Sequence, residues 1–264
     1  MATKPFAVVT GASSGIGLEL AKQFARHGFD LLLTATGPDL AEAARTIEGL
    51  GAQVETVPAD LTAYEDVEAL YTAIRATGRP VDALALNAGV GVGGDFARET
   101  ALRDELNLIQ LNVVSTVHLA KRVLPDMVAR GQGRVLFTSS IAALMPGTFE
   151  AVYAASKAFV QSFAQALRNE LKDTGVTITA LQPGPTETDF FHRAGMDDTR
   201  AGASEKDDPV QVAEQGFAAL MAGQDHVIAG SLTTKALGTM AKVLPDTVNA
   251  QQHRKLAEPG SADR

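Results

Sequence analysis

The stretch Phe6-Ala7-Val8-Val9-Thr10-Gly11-Ala12-Ser13-Ser14-Gly15-Ile16-Gly17 decides the fold. Its first residues form an unbroken apolar run, the pattern of a short strand buried on both faces. Beyond the glycines, Leu18, Leu20, Ala21, Phe24 and Ala25 recur at helical spacing, and His27-Gly28 ends the helix with a glycine cap. Strand, glycine-rich turn and helix together suit a pyrophosphate. Glycines let the backbone turn sharply and approach the ligand, and the helix N-terminus offers free N–H groups and a positive dipole end. The spacing is Gly-x-x-x-Gly-x-Gly rather than the commoner Gly-x-Gly-x-x-Gly. Without its flanking elements, the same turn would be an ordinary glycine turn.

Outward from this unit the alternation continues. Strands are expected over 29–35, 54–57, 81–86, 133–140, 176–181 and 227–229, with helices over 39–50, 64–77, 102–129, 152–171 and 209–221. Strands alternating with helices imply an α/β fold, a doubly wound parallel sheet of about seven strands with helices on both faces. Ligands of such sheets sit at the C-terminal strand ends. Here those ends read Asp60-Leu61-Thr62, Asn87-Ala88-Gly89, Ser139-Ser140 and Pro183-Gly184-Pro185-Thr186-Glu187-Thr188. Residues 190–206 are polar and without period, and read as a mobile loop. Leu237, Met240, Val243, Leu244 and Val248 form a last amphipathic segment interrupted by Pro245. Residues 1–264 are expected to form one domain, with substrate loop and C-terminal segments over 186–255 and a disordered tail over 259–264.

The chain has 264 residues, 45% of them hydrophobic, and a net charge of −8. An acidic chain is a poor nucleic-acid partner, because phosphate binding needs a basic surface. The absence of cysteine excludes disulfide and thiolate chemistry and is compatible with a reducing compartment. No run approaches the roughly 18 apolar residues that span a bilayer. The expectation is therefore a cytoplasmic protein with no integral membrane segment. His27, His118 and His192 show no metal-ligand spacing, so no metal site is expected.

Tyr153 and Lys157 lie four residues apart, which places them one turn apart on one helix face. An ammonium beside a phenol favours the phenolate and lowers a pKa that starts near about 10. Such a pair suits general acid/base work, although Tyr-x-x-x-Lys alone also describes many surface pairs. Asn112 adjoins the apolar stripe of the long helix over 102–129. It reads either as a side chain bonding its own helix or facing solvent, or as a kink or water site near the catalytic centre.

In order and at family spacing, Thr10-Gly11-x-x-x-Gly15-x-Gly17, Asp60-Leu61-Thr62, Asn87-Ala88-Gly89, Asn112, Ser140, Tyr153-x-x-x-Lys157 and Pro183-Gly184 with Thr188 resemble a single-domain short-chain dehydrogenase/reductase, from about Phe6 to Ile228. The resemblance implies a Rossmann-type sheet and an NAD(P)-dependent hydride transfer between the cofactor and a carbonyl or secondary alcohol. It makes Tyr153 the general acid/base, Lys157 its pKa-lowering neighbour and a ligand of the nicotinamide ribose, and Ser140 the donor to the substrate carbonyl. Asn112 would hold a water linking Lys157 to solvent. Gly11, Ser13, Ile16 and Gly17, with Ser14 and Gly15 in the same loop, would line the pyrophosphate and nearby ribose. Asp60 and Leu61 would flank the adenine, and Asn87, Ala88 and Gly89 its ribose. Pro183, Gly184, Thr186 and Thr188 would face the nicotinamide. Ser139 is left as a strand-end residue, since the family's interval to the tyrosine falls on Ser140.

Two departures stand out. Leu86 occupies a position where the family usually has a second asparagine, so that loop needs another anchor. The end of the second strand reads Thr34-Ala35-Thr36, with neither the acid of NAD-preferring members nor an adjacent arginine. The reading leans to NADP over NAD, with a Thr34 or Thr36 hydroxyl bonding a 2′-phosphate. The resemblance also implies a homodimer or homotetramer built on the two long helices. Leu144, Met145, Phe149, Phe190, Phe191 and Met196 suit an apolar pocket wall, and suit a core or an interface equally. Two other functions fit less well: a non-redox epimerase or dehydratase using bound NAD, whose known forms are longer, and a cofactor-binding regulatory protein, which would not need the full tetrad.

Overall fold

The computed structural model describes residues 4–262. Seven parallel strands lie in the order β3-β2-β1-β4-β5-β6-β7. They are β1 (Phe6–Thr10), β2 (Asp30–Ala35), β3 (Val54–Pro58), β4 (Ala83–Leu86), β5 (Gly133–Thr138), β6 (Val176–Pro183) and β7 (His226–Ala229). Strand side chains alternate between two cores, as the two-residue period requires. Ala7 and Val9 join Leu20 and Phe24 of α1 (Gly15–Arg26), Ile47 of α2 (Asp39–Glu48) and Phe217 of α9 (Pro209–Met221). Phe6 and Val8 join Leu70 of α3 (Tyr64–Ala76), Leu119 of α5 (Ser115–Arg130) and Val160 of α6 (Ala151–Glu170). This is the doubly wound α/β sheet expected from the alternation.

The winding direction reverses between β1 and β4, and the two strand ends are stitched together there. The backbone N–H groups of Asn87 and Ala88 donate to Thr10 Oγ1 at 2.9 and 3.0 Å. Asn87 Nδ2 donates to the Thr10 carbonyl at 3.1 Å. The hydroxyl of Thr138 on β5 donates to Asn87 Oδ1 at 3.1 Å. These bonds anchor the β4 loop, with Leu86 buried in the sheet core. Gly17 fits against the same junction. A Cβ there would stand 2.0 Å from the Gly11 carbonyl oxygen and 2.5 Å from Asn87 Nδ2.

Three segments differ from the sequence expectation. The long helix over 102–129 is broken into α4 (Leu102–Ile109), a π-helical turn (Gln110–Val114) and α5. Asn112 sits in that turn, so the kink reading is the one realised. Residues 190–206 carry two short helices, α7 (Phe190–Arg193) and α8 (Arg200–Ala203), rather than an unstructured loop. Phe191, Met196 and Ala201 pack with Ala257, a local apolar cluster that a periodicity search over a long window misses. The tail from residue 259 was expected to be disordered. As far as Ala262 it is instead bonded to α8 and the loop before it: Gly260 N–H donates to Asp198 Oδ2 at 2.8 Å and Arg200 N–H to Ser261 Oγ at 3.0 Å. Residues 263–264 lie outside the described residues. The C-terminal segment forms α10 (Leu232–Ala241) and α11 (Asp246–Ala257), divided at Pro245. No described helix is long and apolar enough to cross a membrane.

The junction gives a stability test. Gly28 has φ +82° with open space around it, so Gly28→Ala should cost about 1–2 kcal/mol of left-handed strain, a few degrees in Tm. Gly17→Ala forces backbone apart and should lower Tm by clearly more in the same calorimetric scan. Equal losses would mean that the junction tolerates the extra carbon.

Candidate active site

The C-terminal strand ends open into one cavity of about 550 Å³. All but one of the sequence-predicted site residues line it: Gly11, Ser13, Ser14, Gly15, Ile16, Gly17, Thr36, Asp60, Leu61, Asn87, Ala88, Gly89, Ser140, Tyr153, Lys157, Pro183, Gly184, Thr186 and Thr188. The exception is Asn112, whose side chain is buried behind the wall.

One end of the cavity suits a dinucleotide. Ser14 is the N-cap of α1 and no side-chain hydrogen bond caps that helix, so its amino end is left for a ligand. Gly11 and Gly15 have φ +65° and +53°, which glycine adopts without strain. A Cβ on Gly15 would meet the Thr188 side chain at 2.9 Å, so the turn and the loop after β6 close on one another across the space. Asp60 is held in place by Thr62, whose N–H and hydroxyl both donate to Asp60 Oδ1. Thr36 is exposed in the wall, whereas Thr34 is fully buried and does not line the cavity. Of the two threonines weighed for a 2′-phosphate, only Thr36 lines the cavity.

The other end carries Ser140, Tyr153 and Lys157. Tyr153 and Lys157 project from the first turns of α6 and both are buried. Lys157 Nζ donates to the Thr138 carbonyl at 3.0 Å and lies 5.8 Å from the Tyr153 ring centre. A single chain of hydrogen bonds therefore runs from Thr10 through Asn87 and Thr138 to Lys157. Ser140 Oγ accepts from Ala142 N–H at 3.1 Å, its hydroxyl donates to the Pro183 carbonyl at 3.4 Å, and its contact with Tyr153 pulls the phenol pKa down. Ser139 donates to the Lys157 carbonyl at 3.0 Å and so clips β5 to α6. Asn112 accepts from Val90 N–H and donates to the Val90 carbonyl, each at 2.9 Å, and donates to Ser156 Oγ at 3.1 Å. Its side chain pins the loop after β4. Gly89 fits between Asn112 Oδ1 and Lys157 Nζ, each 3.1 Å from where a Cβ would stand.

Electrostatics differ from the simple Tyr–Lys expectation. Burial pushes the Tyr153 phenol above its usual range, the Glu150 charge adds to this, and the contact with Ser140 opposes both. Burial also lowers Lys157 to about 8. Desolvation disfavours the charged form of both groups, so it works against the phenolate that the lysine was expected to favour.

Of the apolar candidates, Met145, Phe190 and Phe191 line the cavity, joined by Ile141, Leu237, Met240 and Leu256. Leu144, Phe149 and Met196 do not; Met196 is fully buried beneath the wall. Sequence reasoning missed several polar wall residues, among them Asn107, Arg193, Asn249 and Gln252, and two buried ionisable ones, Glu150 and His253. Burial raises Glu150 to about 8 and holds His253 below the usual imidazole range. A carboxylate three residues before the tyrosine, on the same helical turn, was the available signal for the first. The second had none, because α11 lacks a strong apolar stripe.

Residues 5–199 match the family model described as short chain dehydrogenase. An uncharacterized oxidoreductase of Staphylococcus saprophyticus is 33% identical over 231 residues, covering 87% of this chain and 96% of that protein. An NADP-dependent 3-hydroxy acid dehydrogenase of Salmonella typhi is 32% identical over 197 residues, 74% of this chain and 79% of that one. Among solved structures, a short-chain dehydrogenase from Sphingobium yanoikuyae in complex with NADPH superposes with a TM-score of 0.79 at 32% identity, covering 85% of this chain and 87% of that chain. The chain belongs to the short chain dehydrogenase family and is an oxidoreductase.

The buried carboxyl makes a pH prediction. In the unfolded chain Glu150 ionises near 4.5; in the fold it keeps its proton to about 8. Across that window the native state holds a proton that the unfolded state has released, so stability falls as pH rises. Glu150→Gln removes the penalty. Its Tm minus that of the wild type should climb between about pH 5 and about pH 8, by more than a few degrees if over about 1 kcal/mol is recovered. A flat difference would show that the carboxyl is already ionised.

Proposed function

We propose that the chain transfers hydride between NADP(H) and a small carbonyl compound or the matching secondary alcohol. The observation that carries this is the convergence of Ser140, Tyr153 and Lys157 on the same cavity as the uncapped start of α1 and the facing Thr188. When bound, the nicotinamide cofactor supplies or takes the hydride. Hydride arrival builds negative charge on the carbonyl oxygen. Ser140 and Tyr153 hydroxyls donate to that oxygen, and Tyr153 gives up its proton to it; in the oxidative direction Tyr153 takes the proton back. Lys157, tied to the Thr138 carbonyl, supplies the positive charge that offsets the burial of a phenolate. The α1 amino end with Gly11, Ser13, Ser14, Gly15, Ile16 and Gly17 would hold the pyrophosphate, Asp60 and Leu61 the adenine, Asn87, Ala88 and Gly89 its ribose, and Pro183, Gly184, Thr186 and Thr188 the nicotinamide. Asn112 acts through the loop that it pins at Val90.

NADP is favoured over NAD by the wall at the end of β2. Thr36 reaches the cavity and that strand end presents no carboxylate to repel a 2′-phosphate. The NADPH complex and the NADP-dependent dehydrogenase among the similar proteins support the same choice. We also propose a homodimer or homotetramer seated on α4 and α6. Leu106, Ile109 and Phe159 are exposed there beside a groove floored by Val152 and Ala155. The protein is taken to work in the cytoplasm.

Tyr153→Phe should lower kcat by about a thousandfold while the Kd for NADPH changes by less than about threefold, because only the proton is removed. Near-wild-type turnover would reject Tyr153 as the proton donor. Wild-type kcat/KM with NADPH should exceed that with NADH by about tenfold or more, roughly 1.4 kcal/mol; the reverse ratio would overturn the cofactor choice. Phe159→Asp should give monomers by sedimentation, and unchanged assembly would remove the proposed seat.

A further inference from the structure

The segment just before the catalytic tyrosine is built in an unusual way. Phe149 has φ +68°, the one left-handed backbone among the described non-glycine residues. For an aromatic residue this conformation is costly and persists only where its surroundings impose it. Those surroundings are α11 and the loop after β4. The Thr148 hydroxyl donates to the Ala250 carbonyl at 3.0 Å. His253 Nδ1–H donates to the Thr148 carbonyl at 2.9 Å. The Arg254 guanidinium lies over the Phe149 ring at 4.9 Å, and Gly94 N–H donates to the Phe149 carbonyl at 2.8 Å.

The result of this clamping is the placement of Glu150. Its residue is the N-cap of α6, yet its side chain makes no capping bond and lines the cavity instead. It is 7% exposed, and its one polar partner among the described residues is His253 Nε2, 3.5 Å from Oε2. With Nδ1–H committed to Thr148, a neutral His253 offers only a lone pair at Nε2, which fits a proton on Glu150 Oε2. Whether that proton rests on the carboxyl or on the imidazole, the other oxygen, Oε1, is an acceptor with no partner among the described residues. Around it the wall is largely apolar, with Ile141, Met145, Phe190, Leu237, Met240 and Leu256, and Asn249 and Gln252 of α11 add polar edges. Glu150 and Tyr153 share the first helical turn, whose closing bond runs from Ala154 N–H to the Glu150 carbonyl at 2.9 Å.

We propose that Glu150, positioned by His253, selects the substrate: its free carboxyl oxygen accepts a hydrogen bond from a hydroxyl or ammonium group carried beside the reacting carbonyl. The preferred substrates are then hydroxy or amino ketones with an otherwise apolar body. Plain ketones are disfavoured because they leave a buried acceptor unpaired in an apolar wall. This reading deepens the proposed carbonyl chemistry and rests on it.

The test compares kcat/KM for acetophenone, α-hydroxyacetophenone and α-aminoacetophenone. Wild type should favour at least one donor-bearing ketone over acetophenone by about tenfold or more. In Glu150→Leu that ratio should fall to within about threefold of one, through KM rather than kcat. Glu150→Gln keeps a neutral oxygen acceptor, so it should retain a preference for the hydroxy ketone that Glu150→Leu loses. His253→Leu should erode the same ratio and His253→Gln should restore part of it. A second measurement does not need turnover: calorimetric binding of styrene glycol, phenylglycinol and α-methylbenzyl alcohol to the wild-type and Glu150→Leu proteins, with and without NADPH. A donor preference lost in Glu150→Leu supports the inference even if no ketone is reduced, an outcome that would count against the proposed reaction alone. An equal ratio in wild type and Glu150→Leu, in kinetics or in binding, overturns it, as does a wild type that favours the plain ketone.

Discussion

The molecule depends on the close approach of two backbones where the sheet changes its winding direction. The turn after β1 and the loop after β4 meet at Gly17, where even a methyl group would overlap the Gly11 carbonyl. Thr10 and Asn87 convert that contact into four hydrogen bonds, counting the one from Thr138. Everything else at this edge follows from it. The amino end of α1 is aimed into the cavity, β5 is tied to β4 at its tip, and Lys157 is carried on the far side of the same Thr138. The glycine-turn end and the Tyr153–Lys157 end of the cavity are therefore one bonded structure rather than two halves brought together by the cavity.

Burial sets the character of the catalytic end. Tyr153, Lys157 and Glu150 are three ionisable groups removed from water within two turns of one helix. Each is driven toward its neutral form: the phenol and the carboxyl upward, the ammonium downward. A site in this state stabilises charge only when charge is produced in it, which is the condition that a developing oxyanion meets. Of the influences on the Tyr153 phenol, the contact with Ser140 is the one that lowers its pKa.

Much of this was readable in the residues, for identifiable reasons. Buried parallel strands give apolar runs, glycines mark the turn where no side chain fits, and Tyr-x-x-x-Lys fixes a shared helix face. These signals are local, and the cavity residues that carry them were found. What escaped was set by contacts between distant segments. Asn112 reads as a polar residue in a helical stripe, and only the position of Val90 shows why the helix must widen into a π turn there. Residues 190–206 read as a loop because Phe191, Met196 and Ala201 pack on Ala257 of α11, far along the chain. Glu150 and His253 meet for the same reason, through a clamp that spans more than a hundred residues. Spacing reports the lysine beside Tyr153 but not the loss of water around both groups, which opposes its effect.

The bonded chain end has a mechanical consequence. Gly260, Ser261 and Ala262 are hydrogen bonded to Asp198 and Arg200, so α8 and the loop before it are roped to the C-terminus of α11. Helix α11 in turn holds the strained turn at Thr148 and Phe149. The two walls over the cavity are thus tied to the same C-terminal segment. A shift of α11 is therefore transmitted to both walls, through the strained turn on one side and through α8 on the other.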